Sequence, residues 1–151
     1  MKKRLFTILA LTGLLVAVAS SCSKDKDRYE EVTPLENKTT DEIKLLLIGN
    51  WKVHYAYGGF DGHTKQSFSN KTFRVLANDS IYFSTNNGIT DGDKIAYERI
   101  NTIFGYEATV MNFTSHLDWI VSNQKGDTLI LKDHATEPFE YYITRITELK
   151  N

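Results

Sequence analysis

Turn-forming residues recur at short intervals along the chain from Asn50 onward, and they separate runs of β-branched and aromatic residues. Gly58-Gly59 and Asn78-Asp79 are typical of these turns. The intervals suit strands of roughly five to eight residues and leave no room for a long helix. The pattern predicts about eight strands, at 50–57, 71–76, 80–85, from 94 to between 100 and 104, 106–113, 117–123, 128–132 and 139–146. We therefore expect an all-β domain, with longer polar loops within 58–70 and 85–93.

One short helix is predicted ahead of the first strand. Thr39 and Thr40 can each cap a helix N-terminus, and the acidic residues at 41–42 suit its positive end. Gly49 can supply the left-handed stop that a residue with a Cβ resists. We expect a helix over 41–48 that leads directly into the strand containing Trp51.

Consecutive strands with short connections can be arranged in two ways. The simplest is an eight-stranded antiparallel up-and-down β-barrel, which leaves no edge strand exposed. The rival is a β-sandwich. The sandwich is disfavoured because the chain has a single cysteine, so it lacks the Cys…Trp…Cys spacing, and because no long crossover connection is visible.

The first 21 residues are predicted to be a targeting segment. Basic residues at 2–4 precede an apolar run over 5–19, which is too short for a comfortable bilayer span but suits a signal peptide. The run ends in small residues before Cys22, and this end resembles a bacterial lipoprotein signal. The resemblance implies that Cys22 becomes the new N-terminus and carries a diacylglycerol and further acyl chains such as palmitate, which anchor the protein to a membrane. The alternative is ordinary secretion, with Cys22 a chance residue.

Residues 22–38 are polar and charged, and they lack the apolar periodicity needed for packing, so they are predicted to be a flexible tether. The folded domain is then expected over 39–151. Acidic residues soon after the cysteine resemble the surface-export signals of some Gram-negative lipoproteins. We therefore expect a cell-envelope protein, an outer-membrane lipoprotein that faces either the periplasm or the cell surface.

The two ends of the predicted domain resemble the lipocalin (calycin) family. A helical turn is followed by Gly49-Asn50-Trp51, and Arg145 lies in the last predicted strand. Lipocalins place an arginine of the last strand across the tryptophan of the first. The resemblance implies a cation–π contact between Arg145 and Trp51 at the base of the barrel. The chain is also similar to small lipocalin-like lipoproteins of Gram-negative bacteria.

Aromatic residues at alternate strand positions form the candidate ligand site. Amphipathic rings can line a pocket that holds an apolar ligand and orients its polar end. Those expected on inward faces are Tyr55, Tyr57, Phe73, Phe83, Tyr97, Trp119 and Tyr141. The same rings could instead fill a small barrel completely. The leading expectation is a small, mainly apolar ligand, and the alternative is a solid barrel whose loops at 58–70 and 85–93 bind an envelope protein or a glycan.

The sequence contains no recognisable catalytic or metal-binding motif. His54, His63, His116 and His134 are not spaced for a zinc site and are expected to be solvated. The serine, histidine and aspartate within 115–118 are neighbours in sequence, whereas catalytic groups converge in space. No cofactor and no enzymatic activity are therefore predicted. The formal net charge of -1, without a basic stripe, argues against nucleic-acid binding.

Ser80 and Thr128 each follow an aspartate and precede an aliphatic residue. This pattern resembles the acceptor sites of periplasmic O-glycosylation in some Gram-negative bacteria. Both positions also lie at predicted hairpin turns, where Asp followed by Ser or Thr is common for conformational reasons. Both interpretations stay open at this point.

Overall fold

A computed structural model describes residues 31–147 of the chain. They form ten strands and one short helix, so the predicted all-β class with a single N-terminal helix is confirmed. The elements are β1 (Val32–Pro34), α1 (Thr40–Leu47), β2 (Gly49–Gly58), β3 (Thr64–Val75), β4 (Ser80–Thr85), β5 (Gly88–Lys94), β6 (Ala96–Asn101), β7 (Glu107–Asn112), β8 (Trp119–Lys125), β9 (Thr128–Asp133) and β10 (Phe139–Arg145). The predicted signal peptide at 1–21 and Cys22 lie outside the described residues.

All ten strands belong to one antiparallel sheet. Its order is β5-β4-β3-β2-β10-β9-β8-β7-β6, and β1 pairs with β8 off this path. Strands that follow one another in sequence mostly lie side by side, as predicted for a meander, and the last strand lies beside β2. Trp51 on β2 is therefore opposite Arg145 on β10.

The sheet curls but does not close. Its two edge strands, β5 and β6, are joined by the single residue Ile95. Because consecutive Cα atoms are about 3.8 Å apart, the two edges must approach each other at this point. No ladder joins β5 to β6 in the described residues, so the predicted closed eight-stranded barrel is wrong. We call the gap between β5 and the β6–β7 side of the sheet the seam.

Two predicted loops are strands in the structure. Residues 64–70 form the first half of β3 and pair with the far end of β2, and residues 88–93 belong to β5. Both segments are mainly exposed on both faces. A hairpin that extends beyond the core has no buried face, so its sequence lacks the apolar alternation by which strands are recognised.

The predicted tether is wrong for residues 32–38. Residues 32–34 pair with β8, and the Leu35 amide donates to the Ser122 carbonyl at 2.9 Å. The Leu35 side chain is 2% exposed and belongs to the core. Arg99 donates to the carbonyls of Glu36 and Lys38, at 2.9 and 2.8 Å. This segment is therefore part of the domain, although its polar composition suggested otherwise.

The helix begins at a reciprocal capping box. The Glu42 amide donates to Thr39 Oγ1 at 3.3 Å, and the Thr39 amide donates to Glu42 Oε2 at 2.8 Å. This arrangement satisfies two amides that a helix start leaves unpaired. Ile43 and Leu47 are buried against the sheet, so the helix covers one end of the main core. We call that end the base.

A smaller apolar cluster lies on the outer face of the sheet. Ala108, Val110 and Ile120 are fully buried there, and Phe104 and Tyr106 pack against them from the β6–β7 connection. The Lys132 ammonium lies 3.8 Å from the centre of the Phe104 ring. The β6–β7 connection thus seals this part of the outer face.

Candidate ligand-binding site

The base of the sheet shows the contact that the sequence predicts between Arg145 and Trp51. The guanidinium carbon lies 4.6 Å from the centre of the Trp51 ring. The terminal nitrogens Nη1 and Nη2 of Arg145 also donate to the carbonyls of Ile48 and Leu46, at 2.6 and 2.7 Å. Gly49 has a φ of 137°, and an added Cβ would collide with Arg145 Nη1. Gly49 therefore serves both the backbone conformation and the close approach of Arg145.

A β-bulge at His54 removes two rings from the predicted ligand site. Val53 pairs with Ile143, but Tyr55 pairs with Tyr142, so β2 carries one extra residue at this point. The extra residue reverses the alternation, since neighbouring side chains of a strand point to opposite faces. Tyr55 therefore lies on the outer face, where it stacks on Tyr142 with ring centres 4.4 Å apart.

Tyr57 follows Tyr55 on the outer face, and its hydroxyl lies 3.2 Å from His63 Nδ1. The prediction that Tyr55 and Tyr57 line the interior is wrong. Ala56, which lies between them, faces inward and is fully buried.

Tyr97 faces inward but lies apart from the other rings, near the helix. The Lys44 ammonium is 4.9 Å from the centre of the Tyr97 ring and 3.2 Å from Asp79 Oδ2. Burial raises the pKa of Tyr97, and the charge of Asp79 acts in the same direction. Tyr97 thus helps to fasten the helix at the base and is not a candidate ligand contact.

The remaining four predicted rings come together. Trp119 is central: its ring centres are 5.9 Å from Phe73, 6.0 Å from Phe83 and 5.5 Å from Tyr141. Phe113, which was not predicted, lies edge-on to Trp119 at 5.4 Å. Phe73 is buried below the other rings and joins them to the main core. The inward alternation of aromatic residues therefore identified most of this cluster.

Above this cluster lies a half-open cavity of about 600 Å³, which we call the cup. Its residues come from strands on both sides of the seam and from the connection between β7 and β8. They are Lys71, Phe83, Thr90, Asp91, Ser115, His116, Leu117, Trp119, Asp133 and Tyr141. The interior is thus filled at the base and open at the other end.

Asp133 fixes the orientation of two rings of the cup. It is 2% exposed, and Trp119 Nε1 donates to its Oδ1 atom at 3.1 Å. The Phe139 amide and the Tyr141 hydroxyl donate to its Oδ2 atom, at 3.2 and 3.4 Å. Burial raises the pKa of Asp133, while these three hydrogen bonds act in the opposite direction. Burial raises the pKa of Tyr141 to about 12, so the tyrosine remains a donor near neutral pH.

The connection between β7 and β8 is fastened across the seam to β5. Asp93 Oδ2 accepts hydrogen bonds from the Thr114 amide at 2.9 Å and from the Ser115 amide and hydroxyl at 3.0 Å each. These bonds lower the pKa of Asp93 to about 2. His116 Nε2 lies 3.0 Å from Asp91 Oδ2, in an orientation that does not form a hydrogen bond. The Asp93 side chain of β5 therefore holds the β7–β8 connection, which forms one wall of the cup, at a place where no backbone pairing crosses the seam in the described residues.

The six polar and charged residues that line the cup were not predicted, and three of them, Lys71, Asp133 and His116, differ in the signal that the sequence carries. Lys71 precedes Phe73 and Val75 at alternate positions of β3, and Asp133 follows Leu129 and Leu131 in the same way on β9. The period of two therefore placed both charged residues on the inward face. His116 lies in a connection between strands, where no periodic signal exists.

The histidines differ from the prediction that all four are solvated. Only His63 is exposed. His54 Nε2 lies 2.8 Å from Thr144 Oγ1, and His134 Nε2 accepts the Ile103 amide at 3.2 Å. The half-buried His54 and His134 therefore make local contacts within the fold. The spacing of the histidines in the sequence argued only against a zinc site and did not bear on such contacts.

Ser80 is 6% exposed, and its amide donates to Asn78 Oδ1 at 3.2 Å, which fits the turn interpretation rather than that of a glycosylation acceptor. Thr128 is half-buried at the start of β9.

Within residues 31–147, no three His, Cys, Asp or Glu side chains are grouped so that they could hold a metal ion. No described helix is long and apolar enough to cross a bilayer.

Comparisons with protein-family models, with curated proteins and with solved structures found no match. What the chain does is therefore inferred from the geometry of the cup.

Proposed function

We propose that this protein is a lipoprotein of the cell envelope whose curled, lipocalin-like sheet binds a small, mainly apolar ligand in the cup. Lipid attachment at Cys22 would hold it at the outer membrane. The observation that carries the proposal is the half-open cavity of about 600 Å³ beside Phe83, Trp119 and Tyr141. Ligand sites typically occupy about 300–1,000 Å³, with mostly apolar walls and a few placed polar groups.

The arrangement of the rings supports binding in two ways. The hydrogen bonds of Asp133 hold Trp119 and Tyr141 in place before a ligand arrives, and a preformed site loses less conformational entropy on binding. The main core continues from the base up to Phe83 and Trp119, so the packing that holds the sheet together also fixes the floor of the cup. We propose no enzymatic role.

Native mass spectrometry of the protein purified from its natural host tests this proposal. We expect an additional mass that is released on unfolding. Leu117→Asp should abolish it, because Leu117 lines the cup and is exposed, so the substitution adds a charge at the site without emptying the core. Ile103→Asp is the matched control, because Ile103 is similarly exposed but lies outside the cup. A bound mass that survives Leu117→Asp would place the ligand elsewhere.

A second candidate is an interaction module for an envelope protein or a glycan. Phe60 is 89% exposed in the β2–β3 connection, and Ile89 is exposed on β5. Exposed apolar residues on projecting hairpins are suited to binding a partner. Phe60→Ser should weaken the capture of such a partner without changing ligand binding in the cup, which distinguishes the two functions.

A further inference from the structure

We propose that the ligand of the cup carries an anionic group, best a carboxylate, which pairs with Lys71, and a flat apolar body that lies against Trp119. This inference rests on the proposed function and names the class of ligand. It follows from the orientation of Lys71, from the charges around it and from the shape of the ring wall.

Lys71 points into the curled sheet. On β3 it shares a face with Phe73 and Val75, both of which are buried. It pairs with Val53, another buried inward residue of β2. Since alternate side chains of a strand share a face, the stem of Lys71 starts inside the sheet, and its side chain lines the cup.

Lys71 makes no direct ion pair in the described part of the chain, although its charge acts on Asp133, where burial raises the pKa and Lys71 opposes that rise. No carboxylate there lies within 4.0 Å of its ammonium group, which makes no hydrogen bond to the described residues. Its nearest specific contact is the Phe68 ring, with Nζ 4.9 Å from the ring centre. A half-buried cation without a direct ion pair gains more from an anionic ligand than a fully solvated lysine does.

The other inward charges have partners, although the contact of Asp91 with His116 is not a hydrogen bond. Asp133 accepts three hydrogen bonds, Asp93 accepts bonds from the β7–β8 connection, and Asp91 lies beside His116. Arg99 donates to two backbone carbonyls near the helix. Among the described residues that line the cup, Lys71 is thus the lysine or arginine whose charge has neither a hydrogen bond nor a direct ion pair, so it can bind a ligand. A cationic ligand would gain from the ring faces, but Lys71 would repel it.

The walls define the body of the ligand. Phe83 lies edge-on to Trp119 with ring centres 6.0 Å apart, and Tyr141 is tilted against it with ring centres 5.5 Å apart. Tilted rings around a central indole present both faces and edges, which suit offset or edge-on contact with a flat ring. A bicyclic aromatic acid therefore matches both the rings and the charge.

The test compares 1-naphthaleneacetate with the neutral 1-naphthaleneethanol, which has the same ring system. Binding is measured by calorimetry on the mature protein in detergent, with protein-free micelles as the blank. We expect the acid to bind at least ten-fold more tightly, as a charge-assisted hydrogen bond allows. Lys71→Met should remove this preference by weakening acid binding alone, while Lys71→Arg should retain it.

Lys65→Met is the matched control, because Lys65 lies over Tyr55 on the outer face, so both ligands should bind as they do to the unaltered protein. Thermal melting of each variant confirms that it is folded. If both compounds bind equally, the anionic ligand is refuted, and if the preference survives Lys71→Met, the pairing with Lys71 is refuted. In both cases the proposed function stands. If neither compound binds the unaltered protein, the proposed function fails as well.

Discussion

Arg145 and Trp51 join β10 to β2 at the base of the sheet, and the strength of this junction can be measured by a double-mutant cycle. Arg145 lies over the indole and donates to the carbonyls of Leu46 and Ile48. Trp51 Nε1 donates to the Leu47 carbonyl at 2.7 Å. Both side chains thus donate to carbonyls at the C-terminal end of the helix, so the effects of substituting them should depend on each other.

The expected magnitudes follow from these contacts. Arg145→Lys keeps the charge but has no planar fork, so it loses a carbonyl contact and much of the stacking on the indole, together about 1–2 kcal/mol of unfolding free energy. Trp51→Phe leaves the Leu47 carbonyl without its donor and shortens the ring, which costs about 2–3 kcal/mol. We expect an interaction energy of about 0.5–1 kcal/mol between the two substitutions.

The assay is urea unfolding of the two single variants and the double variant, followed by circular dichroism. Arg74→Lys is the control, because Arg74 is exposed on β3, and it should change stability by less than about 0.5 kcal/mol. Effects that add within about 0.3 kcal/mol would show that Arg145 and Trp51 act independently. That result would refute the assignment of a shared junction at the base.

Three further predictions concern other parts of the molecule. Leu35→Ala should lower the free energy of unfolding by about 2–5 kcal/mol, because Leu35 is buried in the main core, while the exposed Val32→Ala should have little effect in the same urea titration. The hydrogen bonds of Asp93 depress its pKa to about 2, so their stabilisation is present above its unperturbed pKa of 3.8 and is lost as the pH falls through about 2. The NMR signal of the Thr114 amide should therefore move mainly below pH 3.8, and a midpoint at the ordinary value would contradict this. Cys22→Ser should release the protein into the soluble fraction or stall its processing, and normal maturation with retention at the membrane, seen by fractionation and mass spectrometry, would show that Cys22 is not the anchor.

The sequence predicted those features that depend on strand ends and regular alternation. Trp51 follows the helix, and Arg145 lies in the last strand, so a sheet that brings the first and last long strands together must place them side by side. Phe73, Phe83 and Trp119 lie on strands whose alternation is regular at these positions. Their convergence could therefore be expected before the fold was known.

Other features depend on single residues without a local signal. The bulge at His54 inserts one residue and sends Tyr55 and Tyr57 outward, and nothing in the neighbouring sequence marks it. Leu35 and Val32 are both apolar residues of a polar run, but only Leu35 is buried, and no local pattern distinguishes the two. The seam likewise has no local signal, because the two edge strands are joined by the single residue Ile95 without a turn.

Lys71 and Asp133 are a different case, because their alternation with apolar neighbours was visible in the sequence. Charged residues usually mark an exposed face, so alternation alone does not predict that they line a cavity. An inward charge requires the fold to provide a partner or a cavity, and only the structure shows both. The period of two therefore predicts which face of a strand a polar residue occupies, as it does for an apolar residue.

The two tryptophans allow the most direct measurement of ligand binding in the cup. Trp119 lines the cup, whereas Trp51 is buried at the base, and the chain contains no other tryptophan. In a proton–nitrogen NMR spectrum of the mature protein in detergent, each indole N–H gives its own signal. Adding 1-naphthaleneacetate should shift the Trp119 signal and leave the Trp51 signal in place. A Trp119 signal that stays unmoved at saturating ligand, or equal shifts of both signals, would contradict binding in the cup.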